Sequence, residues 1–191
     1  MDIKGIRNIE FLARGKRSKV YTGILNGKNV AIKVTDRAKK EAFWLKILNK
    51  KNVGPKLIKS TNGYLVYELV VGERILDYIE THNKKQILNV LKEVFKQCRT
   101  MDKLKINKLE MHNPWKHVII GKKAKMIDFE RCYNTENPKN VTQFGQFLLR
   151  KKENLRSKCV KINRKNFINL LKQYKTNKTN KTFNQVINSL L

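Results

Sequence analysis

Lys33 lies in the run VAIKV (Val30 to Val34), and Glu41 follows eight residues later in KKEAFWLKIL (Lys39 to Leu48). An ammonium on a strand paired with a carboxylate on the next helix is an arrangement that presents a fixed positive charge to a phosphate. Far downstream, Met126-Ile127-Asp128-Phe129-Glu130 puts an acid at the end of an apolar strand. A carboxylate oxygen projecting there can hold Mg²⁺ against phosphates. Upstream, Ala13 to Val20 (ARGKRSKV) is a basic stretch with one glycine. Gly15 permits a tight turn whose backbone N–H groups can approach an anion.

Each of these features also has a plain structural explanation. Lys33 could sit exposed on an edge strand, and Glu41 could favour the dipole at a helix start. Residues 13–20 could be an ordinary polar hairpin tip, and aspartate is common at strand ends. The order of the features along one chain is what joins them into a candidate phosphate and metal site.

The elements that would position them follow from pattern. Residues 9–34 read as consecutive strands, with Lys19 to Leu25 and Lys28 to Val34 flanking Asn26-Gly27, a hairpin signal. Alternation sends Val30, Ile32 and Val34 to one face and Ala31 and Lys33 to the other. An ammonium on so apolar a strand needs a charged partner or solvent. Lys39 to Lys50 has helical spacing, and Glu41 lies one turn before Leu45 and two before Leu48, on the inward stripe. Val53-Gly54-Pro55 breaks that helix. Strands are expected at Lys56 to Lys59 and Tyr64 to Leu69, and helices at Glu73 to Glu80 and Lys84 to Thr100. Lys105 to His117 reads as irregular and polar. Two short strands, Val118 to Ile120 and Lys125 to Ile127, precede helices at Val141 to Lys152, Arg164 to Tyr174 and Thr182 to Leu190. Lys175 to Lys181 reads as a basic linker. Strands first and helices after them predict an α+β protein with a cleft between two lobes.

Composition sets outer limits. The 191 residues are 40% hydrophobic, enough for a core and unlike a disordered chain. The net charge of +28 attracts polyanions such as RNA or a ribonucleoprotein, although abundant Lys, Asn and Ile also fit a codon bias. Three scattered cysteines with no CxxC pair suggest neither a zinc ribbon nor a disulfide framework. No apolar signal core and no stretch of membrane-span length are present. A cytoplasmic protein is expected, in which the Asn-Lys-Thr triplets at Asn177 and Asn180 carry no sugar.

These motifs resemble the protein-kinase superfamily, and within it the small atypical members: the RIO kinases and the small kinase of the KEOPS tRNA-modification complex. The resemblance spans Phe11 to about Lys151. Arg14 to Tyr21 is similar to the RIO-type loop. Asn140-Val141-Thr142-Gln143-Phe144-Gly145 resembles a kinase helix that usually opens with Asp, here replaced by Asn140. The resemblance implies a bilobal kinase-like domain over residues 1–174, with an N-lobe of about 1–70 and a reduced helical C-lobe of about 71–174. A basic linker and terminal helix would follow over 175–191. It also implies ATP with Mg²⁺, or Mn²⁺. Lys33 would bind the α and β phosphates, Glu41 would orient Lys33, and Asp128 would bind the metal. Gly15, Lys16 and Ser18 would cover the phosphates, Val20 and Ala31 would flank the adenine, and backbone groups of Glu68 and Val70 would meet its edge.

The sequence departs from the family pattern in two places. The catalytic loop should carry an aspartate and, five residues on, an asparagine; His112 and His117 stand there, and no aspartate lies between Asp102 and Asp128. With a loop two residues longer, Glu110 would be the base and Lys116 would lie near the γ-phosphate. His117 would contact phosphate, hold a softer metal, or pack. Glu130 replaces the usual glycine after Asp128, and only about ten residues separate it from the Asn140 helix. No full activation segment fits, so a protein substrate would lack its usual docking platform. The expected activity is an ATP-dependent phosphotransferase, nominally a serine/threonine protein kinase with an unknown protein substrate. The alternatives are a nucleotide-binding pseudokinase acting on RNA or a ribonucleoprotein, and a small-molecule kinase.

Overall fold

The structure is a computed structural model and describes residues 3–190. The chain is α+β and divides into two compact units, one of residues 1–71 with 126–131 and one of residues 72–125 with 132–191. The short segment 126–131 thus belongs to the first unit although it follows most of the second in sequence.

The first unit is an antiparallel five-stranded sheet with one helix. Its strands are β1 (Ile6–Arg14), β2 (Ser18–Leu25) and β3 (Lys28–Thr35), then, after helix α1 (Ala38–Asn49), β4 (Leu57–Ser60) and β5 (Tyr64–Glu68). The sheet order is β1-β2-β3-β5-β4, so β3 is central. Asn26 and Gly27 both adopt positive φ (50° and 73°), the mirror-image turn that the Asn-Gly pair favours. Val30, Ile32 and Val66 form a core on one sheet face with Ile3 and Ile6. On the other face Lys33 is paired across to Val20 and Leu65, and Ala31 to Thr22 and Tyr67. Helix α1 packs against β3, β4 and β5 and buries Ala38, Glu41, Ala42, Leu45 and Leu48.

The second unit carries a small sheet of β6 (Glu73–Arg74), β8 (Val118–Ile120) and β9 (Ala124–Met126), and a ribbon of β7 (Ile106–Lys108) with β10 (Cys132–Asn134). Its helices are α2 (Ile75–Thr81), α3 (Lys84–Lys103), α4 (Asn140–Arg150), α5 (Lys152–Ser157), α6 (Arg164–Thr176) and α7 (Asn180–Asn188). An Asn83–Gln86 capping box starts α3. Phe95 of α3 meets Phe144 of α4 edge-on, with ring centroids 4.7 Å apart. Gly145 lets α6 close on α4, since a Cβ there would lie 2.7 Å from the Leu171 methyls.

Several elements differ from the sequence reading. Lys105 to His117 is not wholly irregular: it holds β7 and two 3₁₀ turns, Leu109–His112 and Pro114–Lys116. Its polar residues pair with groups distant in sequence, which no local pattern reveals. Glu73 and Arg74 pair with Ile120 and Ile119 before the helix begins. Residues 177–179 alone separate α6 from α7, whose Phe183 and Val186 are buried. Among the described residues, no helix is long and apolar enough to cross a membrane.

Candidate phosphate and metal site

Lys33 is 5% exposed, held inside the first unit by β3, the central strand of the sheet. Its Nζ donates to Glu41 Oε2 at 2.7 Å and to Asp128 Oδ1 at 2.7 Å, and lies 3.7 Å from Glu130 Oε2. Glu41 reaches it because α1 turns its inward stripe onto this sheet face; the carboxylate is 1% exposed. The second Glu41 oxygen accepts the backbone N–H of Phe129 at 3.2 Å. Arg37, at the start of α1, donates to Glu130 Oε1 at 3.2 Å. Two cations and three carboxylates therefore occupy one small volume.

The electrostatics follow from that crowding. Burial alone pushes the Lys33 ammonium down, but Glu41 and Asp128 outweigh it and hold its pKa above the ordinary lysine value. Burial raises the Glu41 carboxyl above its ordinary value, against the opposing pull of Lys33. Tyr67 shares the sheet face with Ala31, and burial together with Glu41 raises its hydroxyl. Lys33 is thus a fixed positive charge.

Asp128 stands apart from Glu41 in two respects. Its side chain is 32% exposed, and its backbone adopts φ 66°, a left-handed conformation costly for most residues and tolerated by Asp. Phe129 behind it packs against Gly54 and Leu45; a Cβ on Gly54 would lie 2.7 Å from the Phe129 ring. The apolar anchor at Phe129 and the Glu41 hydrogen bond set the path of the chain through Asp128. One oxygen each of Glu41, Asp128 and Glu130 lie within 4.8 Å of one another. An all-oxygen donor set of this kind fits a hard divalent cation such as Mg²⁺ or Mn²⁺.

The remaining candidate residues are distributed as follows. Gly15 and Lys16 form the β1–β2 hairpin tip with Ser18 at its base, where the Gly15 N–H donates to Ser18 O at 2.8 Å. The tip borders an open concavity of about 420 Å³, lined also by Arg14, Arg17, Lys19 and Asp36. Val20 is half-buried and Ala31 buried on the Lys33 face of the sheet. Glu68 is exposed, and its N–H is given to Lys56 O at 2.9 Å; Val70 is half-buried just after β5.

Glu110 and His117 belong to the second unit. Glu110 is 5% exposed and accepts from Lys108 Nζ at 3.0 Å. His117 is half-buried after the second 3₁₀ turn. The backbone before Glu110 is fixed by Asn140, whose Oδ1 accepts the Lys108 N–H at 2.8 Å and whose Nδ2 donates to Asp102 Oδ1 and Ile106 O, each at 2.7 Å. Tyr174 donates to the other Asp102 oxygen at 2.8 Å. Burial raises the Asp102 carboxyl, and the bonds from Tyr174 and Asn140 oppose that rise.

The structure therefore brings Lys33, Glu41 and Asp128 into one cluster. Sequence reasoning noted Glu130 only as a replacement for glycine, and missed Arg37 and Tyr67 as participants. The alternation rule already places Tyr67 two residues from Leu65 on a strand pairing with β3, which was the available signal. No protein-family model matches the chain, and no curated protein matches its sequence.

Proposed function

We propose that this chain is an ATP-dependent phosphotransferase with a protein-kinase-like site on its first unit. The observation that carries this reading is Lys33, a buried ammonium on the central strand, shared between a buried helix carboxylate and a partly exposed one. A purely structural ion cluster would gain little from such an arrangement, because burying charges costs about as much as their attraction returns. Retaining two cations and three acids at one place is explained by a ligand that needs them. In this reading Lys33 binds nucleotide phosphate, and Glu41 keeps the ammonium in place. Asp128, the most exposed of the three acids, would exchange Lys33 for a metal ion, with Glu130 as its neighbour. Mg²⁺ or Mn²⁺ held there would neutralise phosphate charge.

Glu110, the base expected from the sequence, accepts from Lys108 within the second unit, and a carboxylate so engaged is a poor proton acceptor. A nucleotide switch with negligible transfer is the second reading, favoured by this same pair.

The test is Mg²⁺- or Mn²⁺-dependent transfer of labelled γ-phosphate from ATP, alongside binding of ATP. Wild type should bind ATP, and Lys33→Met should lose binding. Transfer present in wild type and abolished in Asp128→Asn supports the phosphotransferase; binding without transfer supports the switch. Absence of ATP binding in folded wild type overturns both.

A further inference from the structure

We propose that a basic trough along α4, α6 and α7 binds the sugar–phosphate backbone of an RNA duplex. This proposal is independent of the phosphotransferase reading and concerns the second unit alone.

The charge of the chain is unevenly distributed. Over residues 138–191 thirteen lysines and arginines stand against a single acid, Glu153. A concavity of about 400 Å³ between α4 and α6 is lined by Lys139, Gln143, Gln146, Arg150, Lys172 and Lys175, among others. A second, of about 710 Å³, lies between α6 and α7, lined by Gln173, Asn177, Lys181 and Gln185, and shares Lys172 with the first. No aspartate or glutamate lines either one. Among the described residues, none of Lys139, Arg150, Lys172, Lys175 and Lys181 is in an ion pair. An incidental lysine-rich surface would leave acids interspersed, as the rest of this chain does.

The geometry suits a repeating anion. Lys139, Gln143, Gln146 and Arg150 are spaced four, three and four residues apart, which aligns them on one face of α4. At ~1.5 Å per residue the row is roughly 16 Å long, long enough to follow several successive phosphates of one strand. Arg150 is held by a hydrogen bond to the His112 carbonyl, which orients its guanidinium.

The chemistry of the lining selects the class of partner. Protein–protein interfaces centre on apolar and aromatic residues, whereas nucleic-acid interfaces are polar and strongly positive. This lining is cations, amides and hydroxyls, with Ile168 and Leu171 as the apolar floor. Apart from the His112 imidazole, no aromatic ring lines either concavity, so a run of unpaired bases has no stacking platform, and a duplex read by its backbone is the better fit. The amides and hydroxyls of the lining, Thr142 and Gln146 among them, can bond a ribose 2′-hydroxyl, which both donates and accepts and which DNA lacks.

The experiment is fluorescence anisotropy of a labelled RNA duplex of about two helical turns with the full chain, titrated with salt. The trough variant is R150Q/K172Q/K175Q. The control, K28Q/K39Q/K40Q, removes the same charge from exposed lysines of the first unit. The trough variant should bind at least about tenfold more weakly and lose about one unit of salt slope per phosphate contact removed. The control should change affinity less than about threefold. Equal weakening by both variants would show general charge attraction and overturn the trough. A DNA duplex binding as tightly would overturn the RNA assignment, and poly-glutamate binding as tightly would overturn nucleic acid altogether. Acetylation of the unmodified protein gives a readout free of folding effects. Bound RNA should protect Lys139, Lys172, Lys175 and Lys181 while Lys28, Lys39 and Lys40 stay reactive; the reverse pattern rejects the site.

Discussion

Glu41 holds the backbone N–H of Phe129 with one carboxylate oxygen and the ammonium of Lys33 with the other. One side chain thus fixes both the proposed phosphate-binding lysine and the segment that carries the proposed metal ligand.

Removing Lys33 should make stability depend on pH in a defined direction. In Lys33→Met, Glu41 stays buried but loses the main influence that lowers its pKa. A carboxyl whose folded pKa lies above its unfolded value binds a proton on folding. Its contribution is fully present below the ordinary value of 4.5 and is lost as pH rises. We expect the variant to be about 3 kcal/mol less stable than wild type at pH 7, with the gap narrowing towards pH 5. Urea unfolding at both pH values measures it; a gap that widens on acidification would contradict the assignment.

Asp128 should tolerate asparagine and resist alanine. Asparagine accepts a left-handed backbone and alanine does not, so Asp128→Ala should cost about 1 kcal/mol more than Asp128→Asn. Both variants remove the proposed metal-binding carboxylate, and under the phosphotransferase reading both should abolish Mg²⁺-dependent phosphate transfer. Thermal melts of the pair separate backbone strain from lost charge.

Gly54→Ala should act at a distance on the site. Gly54 has φ +78°, and an added Cβ would meet the Phe129 ring at 2.7 Å and Leu45 at 3.0 Å. The expected loss is about 1–3 kcal/mol, with ATP affinity reduced because Asp128 moves with Phe129. Gly54→Ala combined with Phe129→Leu should regain part of the affinity. Isothermal titration with ATP and Mg²⁺ reads both effects.

Asn140→Asp tests why an amide stands at the head of α4. Its Nδ2 donates to Asp102 Oδ1, and a carboxylate in its place would face another carboxylate in a buried site. The Asp pair would be stable only with a shared proton, so the variant should unfold more easily at pH 8 than at pH 5. Asn140→Ala should cost about 2–4 kcal/mol at either pH, because the Lys108 N–H and Asp102 both lose a partner.

Particular residues show how much of this the sequence made legible. Lys33 stood out because alternation put an ammonium on an apolar strand, and Glu41 because helical spacing put an acid in line with Leu45 and Leu48. Local periodicity was sufficient for both, as it was for the Asn26-Gly27 hairpin. Lys108 was hidden in a stretch that reads as polar loop, and nothing local showed that Glu110, singled out as a base, is buried beside it. Their burial rests on each other and on Asn140, more than thirty residues downstream of Lys108. Helix α5 was hidden for a different reason. The run Lys151 to Arg156 is mostly charged, with Leu155 as its one buried residue, so no apolar stripe marks it. The connection expected over Lys175 to Lys181 is narrower than composition suggests, since residues 177–179 alone join α6 to α7. Those lysines are polar at the surface, while Arg99 reaches Tyr174 and the Lys178 carbonyl and ties the connection down.

The residues that complete the first unit are made late. A ribosome has finished the sheet and α1 by residue 71, yet Phe129 and Asp128 arrive only after the intervening stretch of the second unit. At about 5–20 residues per second that interval is roughly 3–12 s. Throughout it Lys33 and Glu41 have only each other, and the pocket floor between Gly54 and Leu45 has no ring to fill it. A nascent chain in that interval offers chaperones an open apolar seat, and the proposed phosphate and metal site is complete only once segment 126–131 has docked.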